Sequence, residues 1–126
     1  MLRAPISWGE LLDKISILEI KLERINDPGK RANVEKEHTA LCAIRTHDKI
    51  DAQEIQAKID ELKAINEQLW DIEDAIRECE KAQDFQARFI RLARAVYQTN
   101  DHRAAIKKEL NILLGSELHE EKSYAG

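Results

Sequence analysis

Three observations on the sequence predict an all-α protein. Charged residues make up 35% of the chain and aromatics only 5%, the balance of helices whose aliphatic stripes face solvated charged ones. No glycine or proline occurs between Gly29 and Gly115, so most of the sequence lacks a strong helix breaker. Apolar residues recur at helical spacing along the chain. Together they predict an antiparallel helical bundle of about five helices, with one long coiled-coil-like helix. At 126 residues the expectation is one domain, residues 1–126, ending in a loose polar tail over 116–126.

The first helix is announced by Ser7 and Glu10, the S-x-x-E capping box in which each side chain satisfies an amide near the helix start. Ile6 before the cap and Leu11 after it have the spacing of a hydrophobic staple. Leu11, Ile15, Leu18, Leu22 and Ile25 form one apolar stripe, which Ile17 and Ile20 widen, so burial on more than one side is expected. Asn26-Asp27-Pro28-Gly29 is a strong turn. A second helix is predicted from Arg31 to about Arg45, with Val34, Leu41 and Ile44 inward. Thr46-His47-Asp48 offers a break. The third helix is predicted from about Asp51 to Lys81, roughly 45 Å long, on the stripe Ile55, Ile59, Leu62, Ile65, Leu69, Ile72, Ile76 and Cys79. Uncapped patterns of that length point to a coiled-coil hairpin or a dimer interface. Asp84 can cap a fourth helix with Phe85, Phe89, Leu92 and Val96 inward. Thr99-Asn100-Asp101 is read as its end and as the cap of a fifth, with Ile106, Leu110 and Leu113 inward and Gly115 as its C-terminal glycine.

The net charge of −4 argues against nucleic acid, which needs a surplus of Lys and Arg. No apolar run approaches the roughly 18 residues of a membrane span, and the N-terminus lacks a signal peptide's apolar core. The expected location is the cytoplasm. Cys42 and Cys79, the only cysteines, suit two reduced thiols better than a disulfide framework. No phosphate loop, nucleophile elbow or H-E-x-x-H occurs, so no catalytic residue and no cofactor is assigned.

Two clusters have a functional reading beside a bland one. Glu67, Asp71, Asp74 and Glu78 recur on one face of the third helix. Such a row suits Mg²⁺, as in a Mg-dependent helical enzyme, but is more simply a solvated acidic stripe. Arg88, Arg91 and Arg94 alternate with apolar residues, and Arg103, Lys107 and Lys108 follow beyond the Thr99-Asn100-Asp101 cap. That region suits a phosphate or carboxylate, with Tyr97 adding a hydroxyl or a stacking face. The bland reading pairs these arginines with carboxylates across helices. A fourth helix of about 15 residues spans only about 22 Å, which would bring Trp70–Asp74 and Thr99–Arg103 to one end of the bundle. The candidate ligand-binding set is therefore Trp70, Asp71, Asp74, Arg88, Arg91, Tyr97, Asn100, Asp101, Arg103 and Lys107. His38 and Cys42 have the i, i+4 spacing of half a zinc site with no second half, so no metal site is assigned.

The segments ISWGELLDKISILEIKLERI, LWDIEDAIRECE, FIRLARAVYQTNDHRAAIKKELN and GSELHEEKSY, taken together, resemble a small bacterial all-helical family, a domain of unknown function. The resemblance covers nearly the whole chain. It implies a context near surface-polysaccharide and glycosyltransferase genes, and no reaction. The favoured function is a non-catalytic helical accessory module that binds its own copy or a partner protein. The alternatives are a small-anion or nucleotide-sugar site over Arg88–Lys107, and the Mg-dependent enzyme.

Overall fold

A computed structural model describes residues 1–125. It holds four helices and, among the described residues, no strand: α1 (Trp8–Arg24), α2 (Pro28–Ala43), α3 (Gln53–Lys81) and α4 (Ala87–Leu113). None is long and apolar enough to cross a membrane.

The count of four corrects the predicted five. α4 runs unbroken through Thr99-Asn100-Asp101. Asn and Asp favour caps only where their side chains compete for the backbone. Here Asn100 Oδ1 instead accepts from Arg103 Nη1 at 3.4 Å, and Arg103 is itself bonded to α1. Packing of Ile106 and Leu110 then carries the helix past the weak break. α2 also starts earlier than predicted. Asp27 is its N-cap, accepting from the Lys30 amide at 2.8 Å, and Pro28 stands in the first turn, where a missing N–H costs nothing.

α3 and α4 form an antiparallel hairpin, since their cross-helix partners descend in order: Lys58 with Glu109, Glu61 with His102, Glu78 with Arg88. α1 packs on both and also on α2, whereas α2 packs on α1 alone. This differs from the predicted antiparallel bundle of about five helices. α2 buries no residue, because Val34 and Leu41 give it only a narrow apolar edge. The core sits where α1 crosses the open end of the hairpin. Leu12, Ile55, Leu62, Ile65, Ile106, Leu110 and Leu114 fill it, with Ile50 from the α2–α3 connection. Trp8 closes it, edge-on to His47 with ring centroids 5.4 Å apart.

The helix ends follow local chemistry. Ser7 caps α1 by accepting from the Glu10 amide at 3.1 Å, but the Glu10 carboxylate turns to Lys107, so only half of the capping box forms. Ser7→Ala is expected to cost about 1 kcal/mol in chemical denaturation. Two helices end in the same six-to-one turn. Gly115 at φ 69° ends α4, with the Ser116 amide on the Asn111 carbonyl at 2.8 Å. Gln83 at φ 54° ends α3, with the Asp84 amide on the Cys79 carbonyl at 2.9 Å. The left-handed conformation is strained for a residue with a Cβ. Gln83→Gly is therefore expected to stabilise the protein by about 0.5–1 kcal/mol, read by urea unfolding.

Candidate functional site

The polar centre of the molecule lies where α1 meets the hairpin. Asp13 is 1% exposed. Arg103 grips it with Nε and Nη2, the Nε bond to Oδ1 measuring 2.9 Å. Two parallel bonds to one carboxylate are the strongest geometry this pair has. Asn66 Nδ2 donates to Asp13 Oδ1 at 2.9 Å and to Ser16 Oγ at 2.8 Å. One turn along α4, Lys107 Nζ bonds Glu10 and Glu120, each at 2.9 Å. Three carboxylates thus surround two cations. The Asp13 bond raises the Arg103 guanidinium above its ordinary value. Burial pulls Lys107 down, and the bonds to Glu10 and Glu120 outweigh it and hold it raised. Among the described residues no buried side-chain nitrogen or oxygen lacks a partner. The cluster is a closed clamp that ties α1, α3, α4 and the C-terminal segment together.

Glu120 anchors that segment, otherwise without helix or strand. Its hydrogen bond to Lys107 holds its pKa below the ordinary carboxylate value. A depressed carboxylate contributes stability above its unfolded pKa and loses it as pH falls through the folded value. The Glu120–Lys107 contact is therefore expected to persist at neutral pH and release only on acidification below the ordinary carboxylate range. Chemical shifts of residues 116–122 during an acid titration check this.

Beside the clamp a cleft of about 350 Å³ opens between α1, α3 and α4. Ile17, Ile20, Leu69 and Trp70 form its apolar wall, with Glu73, Asp74, Arg77 and Arg103 at its edge. Arg24 lies over the Trp70 ring, 5.7 Å from its centroid, and bonds Asp71 at 2.6 Å. A cavity of this size and lining takes an apolar group and offers no convergent set of free donors.

The ten candidate residues fall into separate places. Trp70, Asp74 and Arg103 line the cleft. Tyr97, Asn100 and Asp101 line a second groove of about 700 Å³ together with Lys122 and Tyr124. Asp71 is held by Arg24, Arg88 by Glu78 at 3.4 Å, and Lys107 by Glu10 and Glu120. Arg91 is exposed and makes no ion pair among the described residues. An anion reaching Arg103 or Lys107 would have to displace Asp13 or Glu120. Among the described residues no three His, Cys, Asp or Glu side chains converge in a metal-binding group. Arg24 sits against Glu67 and Asp71. His38 lies 3.5 Å from Cys42 Sγ and 3.7 Å from Glu19.

Sequence reasoning missed Asp13, Ser16, Asn66 and Asn111, all buried. The signal was present as polar residues set directly beside the apolar stripes of α1, α3 and α4.

Fold and site define a small all-helical protein with a clamped three-helix head and a projecting helical hairpin. The chain belongs to the family of unknown function DUF6165, which matches residues 2–126. No curated protein and no solved structure matches it.

Proposed function

We propose that this chain is a non-catalytic helical interaction module and that the far half of the α3–α4 hairpin, its arm, is the docking element. The arm's uncovered apolar side carries the reading. Bonds from α1 reach no further along the hairpin than Asp71 on α3 and Arg103 on α4. Beyond them no bond joins another helix to the pair among the described residues, and Lys122 and Tyr124 of the C-terminal segment stand beside Val96 and Tyr97. Phe85, Ile90 and Tyr97 are 44%, 55% and 54% exposed there, and Ile72, Ile76, Phe89, Leu92 and Val96 are only half-buried. Helical layers normally bury such stripes against another element. The cleft stands at the foot of the arm, where an apolar anchor from a partner fits. The resemblance to a family met near surface-polysaccharide genes supports a partner from that machinery.

A photo-crosslinking residue at Ile90, with Glu37 on α2 as the control position, tests the reading in cells. The expected result is a protein adduct at 90, identified by mass spectrometry, and none at 37. Equal labelling at both positions, or none at either, would count against a docking arm.

A further inference from the structure

Among the described residues, the chain's own C-terminal segment accompanies the arm beyond its foot, and its register on α4 can be followed step by step. The Ser116 amide donates to the Asn111 carbonyl at 2.8 Å. Glu120 meets Lys107 at 2.9 Å. Glu121 and Lys122 share a shallow groove with Asp101, Ala104 and Lys108. Lys122 and Tyr124 share the larger one with Val96, Tyr97 and Asn100. Numbers along the segment rise as those along the helix fall. From Asn111 to Tyr97 the axis of α4 advances about 21 Å, and the chain from Ser116 to Tyr124 reaches at most about 26–29 Å. The segment, without helix or strand of its own, is a nearly straight strap laid back along one helix.

Helix geometry defines the stripe beneath the strap. Tyr97, Asp101, Ala104 and Lys108 follow one another at i, i+4, i+7 and i+11, a spacing that shares one face. The charges match in order along it. The strap's Glu120 and Glu121 come beside Lys107 and Lys108, and its Lys122 comes beside Asp101. Seven residues before Tyr97 the same stripe carries Ile90, 55% exposed. Tyr124 stands at the level of Tyr97, and Ile90 lies about 10 Å further toward the tip. A helix about 10 Å across, laid over Ile90 and Tyr97, would meet Tyr124.

The strap is fastened lightly. Beyond Ser116, among the described residues, one hydrogen bond holds it, from Lys107 to Glu120. The Lys107 side chain is 10% exposed and that of Glu120 52%. When Glu120 leaves, Lys107 keeps Glu10 at 2.9 Å, so the latch opens without stranding a buried charge. Residues 117–125 are exposed throughout, and little apolar burial opposes their release. Resting on the docking reading, we infer that the C-terminal segment is an autoinhibitory strap: it lies on the α4 stripe that the arm presents, and a partner spanning Ile90 and Tyr97 must displace it. The partner's apparent affinity is then reduced by the fraction of molecules that are unstrapped, and the Lys107–Glu120 latch sets that fraction.

Two latch variants of the full chain test this. Glu120→Gln removes the ion pair, and Glu120→Lys sets like charges against each other. Both should keep the helical circular dichroism, because Lys107 retains Glu10. NMR shifts of Val96, Tyr97, Asn100 and Ala104 should move the same way in the two variants, and further in Glu120→Lys. The adduct at position 90, normalised to the amount of chain, should rise by roughly two- to fivefold, the range that loss of one half-exposed ion pair allows when it holds the competing state. Glu117→Lys makes the same charge change before the latch and should leave the adduct as it was. An equal rise there would mark a general charge effect and overturn the inference. Shifts at residues 96–104 that ignore both latch variants place the segment off α4 and overturn it too. Shifts that fade on dilution place the segment on another copy, and an intramolecular strap falls. Shifts that move beside an unchanged adduct put strap and partner on different ground, which removes the strap's role and keeps the docking module. No adduct at 90 in any variant removes the docking reading and the inference with it.

Discussion

Asp13→Ala is expected to lower stability by about 3–5 kcal/mol, a large share of the about 5–15 kcal/mol that keeps a domain folded. Asp13 is 1% exposed and takes two bonds from Arg103 and one from Asn66. Its loss strands a guanidinium inside the head and leaves an Asn66 amide hydrogen without its acceptor. Breaking one half of a buried pair costs far more than the pair contributes, because the remaining charge stays desolvated. The Arg103 side chain is 28% exposed, so water relieves part of the cost and the lower half of the range is expected. The pair can also be removed whole. Asp13→Leu with Arg103→Met takes out both charges and keeps volume, and it should recover most of the loss. Urea denaturation of Asp13→Leu, Arg103→Met and the double variant completes the cycle, with Asp13→Ala measured beside them. A loss under 1 kcal/mol for Asp13→Ala would mean that Arg103 finds water at once and that the clamp does not hold α1.

The legible parts of the fold were those fixed by short-range chemistry. The Ser7 cap, the long stripe of α3 and Gly115 as the end of α4 each depend on residues within a turn or two of one another. The number of helices was not legible, because Thr99-Asn100-Asp101 is a cap by local preference. It becomes helix through Arg103, which is bonded to a residue on α1. The start of α2 was misread for the opposite reason. Asp27-Pro28 is both a turn signal and a good helix start, and only the Lys30 amide on Asp27 decides which. At the site, sequence spacing drew attention to exposed charges. The clamp instead uses Asp13, Ser16 and Asn66, whose roles exist only once three helices meet. Trp70, Asp74 and Arg103 share a cleft because α4 runs back along α3, a relation set by the hairpin and by no single motif.

Gly9→Ala is the other substitution expected to do large damage, and its sign is decided by a competition. Helix propensity alone favours alanine by about 1 kcal/mol. Space opposes it. A Cβ at Gly9 would lie 2.5 Å from the Lys107 carbonyl oxygen and 2.9 Å from Asn111 Oδ1. The first of these is backbone and cannot rotate aside. α1 and α4 would have to separate at their closest crossing. That strains the Gly9 amide's 2.6 Å bond to Asn111 Oδ1 and the Trp8 amide's 2.8 Å bond to Ser116. Overpacking of this kind costs about 1–3 kcal/mol. With one buried and one part-buried hydrogen bond at risk, each worth about 1 kcal/mol, a net loss of about 2–3 kcal/mol is expected. Gly29→Ala separates sterics from propensity. Its Cβ would meet nothing nearer than Asp27 Oδ2 at 3.4 Å, so it should be neutral or mildly stabilising. Amide hydrogen exchange gives the local readout. Trp8 and Gly9 should lose protection in Gly9→Ala before the α3 core does, because the strain enters at the α1–α4 crossing. If Gly9→Ala unfolds at the same urea concentration as the parent, then α1 does not cross α4 at backbone contact. The clamp built on that crossing would then have to close from a greater distance than its bonds allow.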